Sequence, residues 1–457
     1  MLDLIVLGGG PAGYLGAERA ARAGLKVELI EKNALGGVCL NEGCIPSKAL
    51  LHSAKVYETA LHAGEYGVEV GGVALNHRQV VDRRARVIKR LVAGVGAALK
   101  GAGVDVIKGE GVIQGRAAGG FLVGAEGRVH QAKRLLVATG SSPIVPPIPG
   151  LKEALESGFV VTNREILKLD RVPKELVIVG GGVIGLEMAA YYRTAGSKVT
   201  VVEMLPGIAG PTDWEISGML LKEYQKKGVF FQLNAKVTGF SFIDGNIEVE
   251  REGEKLTLHA DKVLLSVSRK ANTAGLGLEA IGVEMDRLGI VIDEQCRTNV
   301  ENIYAAGDVT GRWMLAHTAY REAEVAVNTM LGIKDRMRYH ANPSVIYTKP
   351  EVASVGLTEE GAKEANIPYE AKKVSAMYSG RFLAENQGED GLCKVLIHKE
   401  HRNIIGVHMI GPYSSEIIWG AAAMIEMELR VTDAREIIFP HPTVSELIRE
   451  ALWMFED

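Results

Sequence analysis

Two stretches of this chain spell the same strand–turn–helix–strand pattern, and that repetition restricts the fold more than any other feature. The first is LDLIVLGGGPAGYLGAERAARAGLKVELIEK near the start; the second is LVIVGGGVIGLEMAAYYRTAGSKVTVVEM, beginning at Leu176. Aligned without gaps from Leu4 to Lys32 and from Leu176 to Met204, 11 of 29 positions are identical. The identities include every glycine of the turn and the closing acid, Glu31 against Glu203. The run Leu4–Leu7 is continuously apolar, as in a strand buried on both faces. Small and apolar residues at helical spacing predict a helix over 11–26, and 27–30 reads as a second strand ending at Glu31. Each copy therefore predicts a βαβ unit, and the chain is expected to be α/β with two Rossmann-like domains.

The turns carry chemistry. In Gly8-x-Gly10-x-x-Gly13 and Gly180-x-Gly182-x-x-Gly185 the first glycine makes the tight turn. The second admits a pyrophosphate close to the backbone, and the third lets helix and strand pack. The helix start offers unpaired N–H groups and a positive dipole end. The acid about 20 residues on accepts ribose hydroxyls. One such motif is weak evidence, but two in register with strand, helix and acid are far stronger. Glu203 also selects: a carboxylate repels a 2′-phosphate, and Met204, Leu205 and Pro206 supply no arginine to hold one. NAD is favoured at the second turn.

At roughly 150 residues per domain, 457 residues suggest about three domains. Net charge is −4, so no global basic field draws in nucleic acid. The segment 83–100 holds six lysines and arginines but no interleaved aromatics, and reads as a solvated helix face. No apolar run approaches the ~20 residues of a membrane helix, and the first residues show no signal-peptide pattern. Neither nucleic acid nor membrane is expected as a partner, and the expected location is the cytoplasm. The proline-rich stretch Ser141–Gly150 reads as an extended linker into the second domain. The segment 234–267 alternates around Asp244-Gly245, as in a hairpin. The last ~120 residues form a different unit with strands near 345–347 and 394–397 and helices over 414–428 and 444–455.

Four cysteines are too few for a disulfide-stapled scaffold. Two of them lie in GGVCLNEGCIPSK, Cys39 and Cys44. In an ideal helix residues five apart have Cα atoms roughly 8.6 Å apart. A disulfide wants about 6.8 Å or less, so a bridge needs a distorted turn, which Gly43 permits. Three readings stand on the residues alone: a redox-active bridge, two unrelated buried thiols, or a metal site. The last lacks a second cysteine or histidine pair at ligand spacing, and no metal is expected. Cys296 and Cys393 are isolated and read as packing residues.

The GGGPAG turn, its acid and GGVCLNEGCIPSK together resemble the flavoprotein pyridine nucleotide–disulfide oxidoreductase family. The resemblance covers nearly the whole chain. It takes in Ala138-Thr139-Gly140, Tyr304-Ala305-Ala306-Gly307-Asp308-Val309 and His441-Pro442-Thr443-Val444-Ser445-Glu446. Within the family the likeness is strongest to members that reoxidise dihydrolipoyl groups; Leu315-Ala316-His317 belongs to that form. The resemblance implies an FAD-binding domain over 1–145 and 266–335, an NAD-binding domain over 146–265, and an α+β dimerisation domain over 336–457. It implies a homodimer with Cys39 as interchange thiol and Cys44 beside the flavin. His441 would be the general base, oriented by Glu446. Glu31, Lys48, Gly111, Thr139, Gly140, Asp308 and Ala316 would serve FAD; Glu187, Glu203, Val237 and Ser268 would serve NAD. Lys48 would pair with Glu187.

The implied partners are lipoyl domains, or a lipoyl carrier protein, of a 2-oxo acid dehydrogenase or glycine cleavage complex. The alternatives are a related NAD(P)H-dependent disulfide reductase, and a binding subunit whose task is docking. The family's usual Gly-Arg-Arg-Pro-Asn stands here as Ser268-Arg269-Lys270-Ala271-Asn272; Ala323 and Pro440 also replace smaller residues. These departures bear on nicotinamide binding rather than on the fold.

Overall fold

A computed structural model describes residues 1–456. The chain falls into two units, the first made of 1–49, 79–144 and 268–338, the second of 50–78, 145–267 and 339 onward.

The first unit is built on a seven-stranded sheet. Strands Asp105–Lys108, Val27–Glu31, Leu2–Leu7 and Arg128–Val137 lie parallel in that order, and Ile303–Ala305 pairs parallel with the last. Gly120–Ala125 and Val112–Ala117 extend the sheet antiparallel. Leu4, Ile5, Val6 and Leu7 are all buried, each side chain contributing about 1.5–3 kcal/mol of apolar transfer. The helix Pro11–Arg22 packs against Ala316–Met330 where Gly16 faces Ala323. The first helix stops four residues short of Lys26. Gly24, at φ 91°, turns left-handed, while Gly24 N–H and Leu25 N–H bond back to Ala21 O and Ala20 O. The second copy closes identically: Gly196 has φ 108°, and its N–H and that of Ser197 reach Arg193 O and Tyr192 O. The shared Ala-Gly dipeptide is the cause in both.

The second unit includes two separate apolar clusters among its described residues. One lies under a five-stranded parallel sheet, Phe230–Gln232, Lys198–Val202, Glu175–Val179, Lys262–Leu265 and Val160–Val161. The expected hairpin is present as Ala235–Ser241 with Asn246–Arg251, but Glu254–His259 adds a third antiparallel strand. Glu252 and Gly253 both take positive φ, 53° and 84°, which suits a tight two-residue turn. The chain then leaves this sheet, and Lys262–Leu265 joins the parallel one. The other core joins an antiparallel sheet, which includes Leu392–His398 and Ile404–Ile410, to helices Ser414–Glu426 and Glu446–Trp453. Cys296 and Cys393 are fully buried, as expected of packing residues, and burial pushes the Cys393 thiol up to about 12.

Candidate active site

Both glycine turns have the geometry that their sequences demand. Gly8 and Gly180 sit at φ 101° and 109°. A Cβ at Gly13 would lie 1.8 Å from Gly8 O, and one at Gly185 2.1 Å from Gly180 O, so both positions are closed by packing. The middle glycines differ. A Cβ on Gly10 would meet nothing nearer than Gly37 Cα at 3.8 Å, and one on Gly182 nothing within 4 Å. Both have ordinary negative φ, −74° and −80°. Neither backbone strain nor protein packing requires glycine there, so the space fits the phosphates of a dinucleotide. The acids are held alike. Glu31 Oε2 accepts Gly9 N–H at 2.6 Å and Oε1 accepts Asn33 N–H at 2.6 Å. Glu203 accepts Gly181 N–H at 2.7 Å and Leu205 N–H at 2.9 Å. Each carboxylate is thereby fixed at the rim of its turn.

The cysteines sit beside the first turn. Gly36 and Gly37 take φ 89° and 54°, and a Cβ on Gly37 would approach Gly10 Cα to 2.7 Å. The short helix Gly37–Glu42 carrying Cys39 is therefore pressed against the nucleotide turn. Gly43, at φ −146° and ψ −106°, breaks it, and Cys44 opens a new helix, Cys44–Leu61. This is the distortion that a five-residue spacing needs. Both cysteines are half-buried. Cys44, as hydrogen-bond partner, and burial drive the Cys39 thiol above its ordinary range; Lys48 opposes the shift. The Lys48 ammonium donates to Ser47 Oγ at 3.3 Å.

Asp308 follows Gly307, whose N–H donates to buried Glu322 at 2.6 Å. Its Oδ2 accepts Ser141 Oγ–H at 2.5 Å. Thr139 and Gly140 lie between the first turn and Asn272: Gly8 abuts Ala138 and Thr139, and Thr139 Oγ1 donates to Asn272 O at 2.7 Å. Ala316 is the first residue of its helix. Gly111 has a reason inside the protein, since a Cβ there would lie 2.6 Å from Leu7 Cδ2. The first unit thus gathers the first turn, Glu31, both cysteines, Lys48, Thr139, Gly140 and Asp308.

In the second unit, buried Glu187 accepts Tyr347 N–H at 3.2 Å. The Val237 side chain belongs to an apolar core. Ser268 is exposed where the chain re-enters the first unit. His441 Nδ1 lies 3.0 Å from Glu446 Oε1, and Glu446 Oε2 accepts Thr443 N–H at 2.9 Å. The Thr443 bond, together with His441 and against a weaker effect of burial, keeps the Glu446 carboxyl below its usual range. The carboxylate stays ionised and pins the imidazole, whose side chain is 78% exposed.

Sequence reading missed one pair near the sulfurs. The Tyr14 and Tyr320 hydroxyls are 2.5 Å apart, with rings edge to face at 6.0 Å. Burial and then Tyr320 raise the Tyr14 phenol, with smaller contributions from Cys39 and Cys44. The position of Tyr14, one residue past the glycine motif, was the available signal. Among the described residues no helix is long and apolar enough to cross a membrane, and no cluster of three acidic, histidine or cysteine side chains is placed for a metal.

Comparison with known proteins places these features in context. Residues 2–323 match the family model described as pyridine nucleotide-disulphide oxidoreductase, and 342–452 match that family's dimerisation domain. A dihydrolipoyl dehydrogenase from Bacillus subtilis is 39% identical over 463 residues, covering 98% of this chain and 97% of the relative. One from Geobacillus stearothermophilus is 38% identical, covering 98% and 95%. Among solved structures, LpdA from Mycobacterium tuberculosis has a TM-score of 0.89 at 26% identity, covering 99% of both chains. The HOCl-induced flavoprotein disulfide reductase RclA from Escherichia coli has a TM-score of 0.86 at 26% identity, covering 99% of this chain and 100% of that one.

Proposed function

Because the chain belongs to the pyridine nucleotide-disulphide oxidoreductases, we propose that it catalyses the dihydrolipoyl dehydrogenase reaction. A protein-bound dihydrolipoyl dithiol is oxidised to its disulfide and NAD is reduced. The observation that carries this reading is the cysteine pair on either side of a helix break, pressed against a nucleotide turn.

FAD is held by the first turn with Glu31, Lys48, Gly111, Thr139, Gly140, Asp308 and Ala316, and NAD by the second with Glu187, Glu203, Val237 and Ser268. The segments 1–145 and 266–335 form the FAD domain, 146–265 the NAD domain, and 336–457 the interface of a homodimer. When bound, FAD supplies the two-electron acceptor for the reduced cysteines, and NAD the final hydride acceptor.

The protein's own residues do the sulfur and proton chemistry. In the oxidised enzyme Cys39 and Cys44 share a disulfide. A substrate thiolate attacks Cys39 Sγ; the bridge breaks and Cys44 leaves as thiolate. The second substrate thiol, near pKa ~8.5 when free, is mostly protonated at neutral pH. His441 takes its proton, and the new thiolate attacks the substrate sulfur bound to Cys39; the mixed disulfide breaks, Cys39 leaves as thiolate, and the substrate is released as a cyclic disulfide. Glu446 holds the imidazole and stabilises the imidazolium, the base-plus-orienter arrangement of other activated nucleophiles. The exposed His441 ring serves the cysteines of the second copy.

The partner is a lipoyl domain or lipoyl carrier protein of a 2-oxo acid dehydrogenase or glycine cleavage complex, met in the cytoplasm. The test is NAD reduction with dihydrolipoamide, run beside glutathione disulfide reduction with NADH and NADPH. Turnover with dihydrolipoamide and NAD supports the proposal. Turnover confined to another disulfide would place the chain elsewhere in the family.

A further inference from the structure

We infer that Ser141 and Arg269 are positioning residues that aim the Asp308 carboxylate at FAD; this rests on the reading that FAD occupies the first turn. Ser141 is 2% exposed, and its Oγ donates to Asp308 Oδ2 at 2.5 Å. Arg269 closes over the same serine: Nε donates to Ser141 Oγ at 2.7 Å and Nη2 to Ser141 O at 2.8 Å. A hydroxyl has one proton, and a guanidinium only donates. The Ser141 proton must therefore point at Asp308, and the guanidinium fork locks the serine in that rotamer. Oδ1 keeps its lone pairs for a ligand hydroxyl.

The surrounding strands do not need Arg269 to stay together. Ser141–Pro143 and Arg269–Ala271 form an antiparallel ladder, continued by Ile144 N–H to Ser268 O at 3.0 Å. Asn272 adds four bonds: N–H to Gly140 O at 2.9 Å, Nδ2 to Thr139 O at 3.0 Å, and its O and Oδ1 accept Thr139 Oγ1 and Ser142 Oγ, both at 2.7 Å. The ladder is already stapled, and the arginine's charge is directed through Ser141 to Asp308. A lysine offers a point charge without the fork and cannot hold both serine oxygens in the same way.

The test compares wild type, Ser141→Ala, Arg269→Gln, Arg269→Lys and the Ser141→Ala/Arg269→Gln double variant. FAD affinity is titrated on flavin-stripped protein, and the midpoint potential of the rebound flavin is measured. Each single loss is expected to weaken FAD about tenfold, equivalent to about 1.4 kcal/mol. The double variant should be no weaker than the worse single, because both act through one relay. Arg269→Gln should also move the midpoint negative by removing a cation from the relay that holds FAD, while Arg269→Lys keeps it. Unchanged affinity and potential, or losses that simply add, overturn the inference. Wild-type protein that binds no FAD overturns the underlying reading instead, so the two failures are distinguishable.

Discussion

Replacing Gly10 and Gly13 by alanine should produce opposite phenotypes from neighbouring positions of one motif. At Gly13 the new Cβ would sit 1.8 Å from Gly8 O, so helix and strand must part by about 1 Å or more. Overpacking of that kind costs about 1–3 kcal/mol. At Gly10 the backbone, φ −74° and ψ −173°, already suits alanine, and the nearest atom is 3.8 Å away. Removing glycine's unfolded-state freedom should stabilise the protein by about 0.4–1 kcal/mol. At about 2–4 °C per kcal/mol for a domain of 150–250 residues, the flavin-free melting point should rise by roughly 1–4 °C. The methyl, however, fills the phosphate approach. Losing one charge-assisted amide–phosphate bond, about 1.5–3 kcal/mol, should weaken FAD by about ten- to a hundredfold. Thermal melts of flavin-free protein and FAD titrations read both effects. A Gly10→Ala protein that binds FAD like wild type, or melts as early as Gly13→Ala, refutes the division of labour.

Three further outcomes follow from the geometry. His441→Gln should lower dithiol turnover by about 10²–10⁴-fold, the usual contribution of a general base. Glu446→Gln should cost less: its one amide oxygen cannot accept from both Thr443 N–H and His441 as the carboxylate does, but the base itself remains; rates rapid-quenched at several pH values check both. Lys394, only 4% exposed, is ringed by Asp213, Glu215 and Glu359 at 2.9–3.0 Å. Burial works against its charge, but these carboxylates, Glu359 first, outweigh it and raise the ammonium's pKa. Lys394→Met should destabilise by about 3–5 kcal/mol, since it strands the buried Asp213 carboxylate; melting temperature tests this. His77 and His408 are buried, and burial lowers both imidazoles despite their carbonyl bonds to Leu169 and Leu357. The unfolded chain therefore binds more protons below its own pKa of ~6.5. Stability is complete above that pH and is lost as pH falls toward the folded values, and a His77→Asn/His408→Asn variant should melt with a flatter pH slope there.

What was legible in the sequence was what local rules decide. Repeated glycines and acids gave both βαβ units, and a bridge across the Cys39–Cys44 spacing would need a distorted turn, which the break at Gly43 supplies. The end of the first helix was misjudged because residues 23–26 keep an apolar rhythm that the left-handed Gly24 overrides. The third strand, Glu254–His259, was missed because Glu252-Gly253 carries a turn preference easily read as part of one long alternation. Relations between distant segments were invisible: Ser141 with Asp308, Tyr14 with Tyr320, and Lys394 with Asp213 are far apart in the chain and share no pattern.

The central claim is that the two sulfurs exchange electrons with a flavin lying against them. Anaerobic titration of the purified protein with dihydrolipoamide, followed by visible absorption, tests it most directly. The account predicts a yellow protein that gains a long-wavelength band on taking up two electrons, and that loses the band in Cys44→Ser. A colourless protein, or a flavin that bleaches without passing through such a band, would contradict it.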